Sequence, residues 1–146
     1  MKKLFTFLLV SVLLLFLVPS ASAVFGQRPV TVYKLFNSQT ITKNTNASSV
    51  AVDLRQIAQG GFFAVKYTIT GTGTVSLEYT SCETDDGTFV EPSTADDIAT
   101  GLTKTSGTSG TDITSFKPIL NPFLKIKVTE TGTSADAVIT LYLFIQ

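Results

Sequence analysis

Between residues 61 and 92 apolar and polar side chains alternate so strictly that few folds other than a β structure can accommodate the stretch. Phe63, Val65, Tyr67 and Ile69 fall on one face of a first run, and Val75, Leu77 and Tyr79 on one face of a second. An extended backbone points every second side chain to the same side, so each run reads as a strand with one buried face. Together the two runs predict a β-hairpin. Pairing Ile69 with Val75 brings Tyr67 opposite Leu77 and Val65 opposite Tyr79, and on the other face sets Thr68 against Ser76 and Lys66 against Glu78. That register stacks apolar side chains and opposes unlike charges. It leaves Gly71-Thr72-Gly73 as a three-residue loop with glycine where φ is positive.

The flanking chain continues the pattern. Val30, Val32 and the Leu35-Phe36 pair, with Thr31 and Lys34 between them, predict a strand over residues 30–36; Asn37-Ser38 then reads as a turn and residues 40–42 as a short strand. After a polar loop over 43–49, Val50, Val52 and Leu54 alternate with Ala51, Asp53 and Arg55, and a break over 56–61 ends in two glycines. Phe89-Val90 forms a short strand ended by Glu91-Pro92. Ser93, with Asp96 three residues on, has the spacing of a helix start, and Ile98 and Leu102 four apart predict one or two helical turns closed by Gly101. Residues 103–114, rich in Ser, Thr and Gly, read as a flexible surface loop.

Pro118 and Pro122 keep their segment out of a central strand. Leu124, Ile126 and Val128 alternate with Lys125, Lys127 and Thr129, a strand with a solvated outer face. The last run, residues 137–145, has Ala137, Ile139, Leu141, Leu143 and Ile145 on one face and Val138, Thr140, Tyr142 and Phe144 on the other. Such a strand is either central and covered on both sides, or its second face meets another chain. Seven or eight short strands without a long helix predict an all-β fold, a single β-sandwich of jelly-roll or immunoglobulin-like plan.

Residues 1–23 stand apart. Lys2 and Lys3 precede an apolar run over 4–18 that ends at Ala21-Ser22-Ala23. A basic start, a short apolar segment and small residues at the cleavage site predict a secretory signal peptide cut after Ala23, rather than an uncleaved anchor. The expected product is a secreted, extracellular domain over residues 24–146, free of the membrane once the signal is removed. The whole chain has eleven basic and eleven acidic residues, and loss of Lys2 and Lys3 tips that balance slightly acidic. Such a balance gives no broad attraction to nucleic acid or anionic lipid. Cys82 is the single cysteine, so no internal disulfide can form, and the thiol is free or links two chains.

The chemistry is sparse. The chain contains no histidine, the commonest general base and metal ligand, and no tryptophan. No serine lies in a G-x-S-x-G elbow, and Cys82 has no histidine to activate it. The carboxylates Glu78, Glu83 and Glu91 lack the aromatic platforms of a glycosidase cleft, so no catalytic residues, no enzyme activity and no cofactor are expected. Glu83, Asp85, Asp86, Glu91, Asp96 and Asp97 form the main acidic concentration. Hard oxygen ligands suit Ca²⁺, which makes Asp85, Asp86 and Glu91 the metal candidates; the competing reading is an Asp-Gly turn with solvated acids. Asn46-Ala47-Ser48 is a glycosylation sequon in form.

Asp86-Gly87-Thr88-Phe89, then Phe116-x-Pro118, then the strand from Leu124 to Val128 resembles the second half of discoidin-type, galactose-binding-like domains, with Phe89 where that pattern has tryptophan. The resemblance implies a jelly-roll and a glycan partner. The stretch from Asp53-Leu54-Arg55 to Gln146 is also similar to small β proteins encoded among tailed-phage structural genes. Two functions follow as expectations. One is an extracellular structural or assembly subunit, a filament or surface component, that self-associates through strand edges, with Val24-Phe25-Gly26-Gln27 as a segment able to extend a neighbour's sheet. The other is a small carbohydrate-binding module of discoidin-like type.

Overall fold

The structure, a computed structural model, describes residues 29–57, 61–93, 97–119, 121–132 and 135–146. The expected signal peptide, the segment 24–27 and Asp96 lie outside them. In chain order the strands are β1 (Thr31–Ile41), β2 (Asn46–Ser48), β3 (Val52–Asp53), β4 (Phe63–Gly71), β5 (Val75–Cys82), β6 (Ala99–Leu102), β7 (Thr111–Phe116), β8 (Phe123–Glu130) and β9 (Ala137–Ile145). No helix occurs among the described residues, and the protein is all-β.

Two antiparallel sheets account for the strands. The first has the spatial order β1-β9-β4-β7, and the second β2-β8-β5-β6, with β3 also pairing with β8. Alternation determines what each sheet turns inward. From the first come Phe63, Val65, Tyr67 and Ile69 of β4 and Ile139, Leu141, Leu143 and Ile145 of β9; from the second come Val75, Leu77 and Tyr79 of β5 and Leu124, Ile126 and Val128 of β8. They form one contiguous buried cluster. Each large aliphatic side chain so buried contributes about 1.5–3 kcal/mol before ordering costs.

The hairpin expected over residues 62–79 does not form. β4 pairs with β9 and β7, with Tyr67 opposite Leu141 and Asp112, whereas β5 pairs with β8 and β6, with Leu77 opposite Val128. The apolar faces of β4 and β5 belong to different sheets and meet in the shared core. Matching alternation fixes which face of each strand is buried, but two such strands can lie side by side or face each other. The short link between them crosses from sheet to sheet. Gly71 has a φ of 87°, and a Cβ on Gly73 would lie 2.8 Å from the backbone at Ala135 and Ala137. Glu78 takes its cation from β8, with Lys127 Nζ 2.6 Å from Oε2, while Lys66 sits across from Tyr142 and Ile113.

Three smaller expectations also change. Asn37-Ser38 is a bulge inside a continuous β1, where Ser38 has a φ of 50° and its N–H donates to Thr140 Oγ1 at 3.0 Å. Ile98 and Leu102 are buried but belong to β6 and its approach, not to a helix: the Ile98 N–H donates to Leu77 O, and Ala99 pairs with Leu77. A spacing of four puts two residues on one face of a helix or of a strand, so the pair did not discriminate. The Ser/Thr/Gly run over 103–114 is partly a strand. Thr111 begins β7, and the turn before it is held by the Gly110 carbonyl accepting from Ile69 N–H at 2.9 Å and Ser106 Oγ accepting from Thr103 N–H at 2.9 Å. Threonine is β-branched and suits an edge strand. The last strand, β9, is central in its sheet, between β1 and β4.

Candidate functional site

Among the described residues the acids of the 83–97 stretch do not gather. Asp85 and Asp86 are exposed in the turn after β5, and Glu91 reaches instead to Lys127 Nζ at 3.7 Å. Among the described residues no three His, Cys, Asp or Glu side chains converge as metal ligands would. Beside this turn runs an open groove of about 580 Å³, lined by Cys82, Thr88, Val90, Ile119 and others. Cys82 is half-buried under Gly87, where a Cβ would lie 2.5 Å from its Sγ. Ser81 Oγ accepts a hydrogen bond from Asn121 Nδ2 at 2.9 Å. Glu83 also lines the groove, and among the described residues no hydrogen bond joins it to Ser81 or Cys82.

At the other end of the strands one carboxylate organises three loops. Glu130 continues the inward parity of Leu124, Ile126 and Val128 and is 2 % exposed. Its Oε1 accepts from the N–H of Thr74 at 3.0 Å and of Gly132 at 2.8 Å, and its Oε2 from the N–H of Asn44 at 3.0 Å. Burial pushes this carboxyl upward, but the three N–H donors together outweigh that and the repulsion of Asp136, and hold it below its ordinary value. The arrangement is structural: it ties together the β1–β2, β4–β5 and β8–β9 connections. The sequence carried a signal for it, because an acid at an inward position of a strand must find buried donors.

The outer faces of the two sheets differ. On the second sheet the outward lysines of β8 and the ring of Phe123 are partnered, Phe123 by Arg55, whose guanidinium carbon lies 5.0 Å from the ring centre. Lys127 lies between Glu78 and Glu91, and the contact with Glu78 raises its pKa. Lys125 Nζ lies 3.9 Å from the centre of the Phe89 ring, and Val90 bridges back to Ser81, so the segment after β5 folds over this face.

The first sheet has no such cover among the described residues. Val32 of β1, Phe144 of β9 and Ala64 of β4 are successive neighbours across the strands, and so are Lys34, Tyr142, Lys66 and Ile113. Val32 is 52 % exposed, Ile113 61 % and Phe62, just before β4, 58 %. Tyr142 and Phe144 are half-buried, with Lys34 Nζ 5.7 Å from the Tyr142 ring centre. Aspartate and glutamate are absent from the outward positions of these strands. An open groove of about 630 Å³ adjoins this surface between Phe62, Ser115 and Lys117. Isolated exposed apolar residues are ordinary; here Val32, Tyr142, Phe144 and Ile113 share the outward side with two lysines. The double-sided apolar pattern of residues 137–145 pointed to this face. The contributions of Phe62 and Ile113 were hidden, one by the expected hairpin and the other by the expected loop.

No family model matches the chain, and no curated protein matches it. The fold and the face together define an all-β protein of two antiparallel sheets, one with a polar, partly covered exterior and the other with an apolar, cationic one.

Proposed function

We propose that this protein is a secreted, non-enzymatic structural subunit that assembles outside the cell into a filament or surface component, with its two sheets stacked as a jelly-roll or immunoglobulin-like sandwich. The observation that supports this reading is the open apolar outer face of the first sheet, with Val32, Phe62 and Ile113 each at least half exposed. Secretion is supported by the pattern of residues 1–23, and self-association also by β1 and β7, which are the edge strands of that sheet among the described residues. A second reading, a small carbohydrate-binding module of discoidin-like type, is favoured by Phe62, Tyr142 and Phe144, whose rings line the same face and could stack on sugars. Electron microscopy of the secreted material distinguishes the two. Regular polymers are the outcome expected for an assembly subunit; monomers that bind glycans on an array would replace it with the second reading.

A further inference from the structure

The apolar face of the first sheet is small for a self-contact. Four strands about 4.8 Å apart, each exposed over roughly 20 Å, give on the order of 400 Å² per copy, or about 800 Å² across a contact. Stable interfaces bury about 1,200–2,000 Å². A self-contact therefore needs more than this apolar area, and charge decides which second surface can supply it. A two-fold contact of the face with itself would bring the Lys34 and Lys66 ammonium groups of both copies together with no carboxylate at the outward strand positions. Like charges in a desolvated contact oppose binding.

The complementary surface lies on the other sheet. Glu83, Asp85 and Asp86 are exposed in the turn after β5 and make no ion pair among the described residues. Arg55 lies close enough to feel the charge of Asp85, but its guanidinium is bound to both carboxylate oxygens of Asp53, at 2.6 Å to Oδ2. Lys127 is likewise taken by Glu78 and Glu91. Among the described residues, Lys34 and Lys66 on one exterior and Glu83, Asp85 and Asp86 beside the other thus make no ion pair.

We propose that the outer face of the first sheet, with Lys34 and Lys66, receives the acidic turn over residues 83–86 of a second copy. This rests on the assembly reading above and names the partner surface for it. The two surfaces differ, so a pair of copies in contact leaves one face and one acidic turn free. Such a head-to-tail contact adds copies without limit unless its rotation closes a ring. It also weakens as salt screens the charges.

The test is a charge exchange in the mature protein, residues 24–146, followed by light scattering over a concentration series. One variant carries K34E and K66E, the other D85K and D86K. All four positions are exposed, and unchanged melting temperatures show that each variant folds. Wild type is expected to assemble, and each variant alone to need at least about tenfold higher concentration. An equal mixture is expected to assemble again, because each variant's altered surface meets its complement on the other. If wild type assembles but the variants do so equally well, if only one variant is impaired, or if the mixture restores nothing, this contact is wrong and the assembly reading stands. If wild type stays monomeric throughout, both fall.

Discussion

Replacing Glu130 by glutamine tests the reading of the three-loop tie with almost no change in shape. The carboxylate accepts three backbone N–H bonds, two at Oε1 and one at Oε2. Glutamine keeps an acceptor for Thr74 and Gly132 but turns an NH₂ group toward the N–H of Asn44. One charge-assisted bond is lost, a buried donor is left unpaired, and the two remaining bonds become neutral. With about 1.5–3 kcal/mol for a bond to a charged group and a similar penalty for an orphaned donor, the expected cost is about 2–4 kcal/mol. For a domain of this size that lowers the melting temperature by roughly 8–20 °C.

The pH dependence has a definite sign. A carboxyl held below its ordinary value of 4.5 in the folded state contributes stability that is present above that value and is lost as pH falls through the folded pKa. The gap between wild type and E130Q should therefore be largest at neutral pH and shrink below about pH 4. Thermal and urea unfolding followed by circular dichroism at pH 7 and pH 3 measures both. A cost under about 0.5 kcal/mol, or a gap that does not change with pH, would refute the argument.

Other expectations follow from single contacts. Gly110 has a φ of 82°, and a Cβ there would collide with the Ile69 carbonyl, so G110A should cost about 2–4 kcal/mol in urea unfolding, against about 1–2 kcal/mol for G101A, where φ is 66° but a Cβ meets nothing within 4 Å. Breaking the Lys127–Glu78 pair with K127M should destabilise by about 1–2 kcal/mol, because the Glu78 side chain, only 18 % exposed, loses its cation; a double-mutant cycle with E78Q should recover part of this. Cysteines placed at Tyr67 and Leu77 are not expected to cross-link as neighbouring strand partners, whereas a cross-link between positions 66 and 142 on the exterior should form under oxidation; the opposite result would restore the hairpin.

The sequence identified the strands better than their partners. The buried faces of β4, β5, β8 and β9 are legible because a period of two is a local property. Partner choice is not local: the charge match of Lys66 with Glu78 looked decisive, yet Lys127 offered Glu78 the same match from β8. β6 reads as helix in the sequence because Ile98 and Leu102 suit both periods, and β7 as loop because threonine and glycine dominate its approach. The apolar exterior was half visible, through Tyr142 and Phe144. Its full extent emerges once β9 is seen to lie between β1 and β4, which places Val32 and Ile113 on the same side. The metal candidates Asp85, Asp86 and Glu91 are close in sequence, but Glu91 is drawn to Lys127.

The most direct test is sedimentation of the mature protein beside a variant carrying V32S and I113S, which removes apolar surface without changing charge, from micromolar to millimolar concentration. Both side chains are more than half exposed, so the variant should melt at the wild-type temperature to within the roughly 0.5 kcal/mol expected of surface changes. Wild type is expected to grow into large species as concentration rises and the variant to stay monomeric. Monomeric wild type, or a variant that assembles equally well, would contradict it.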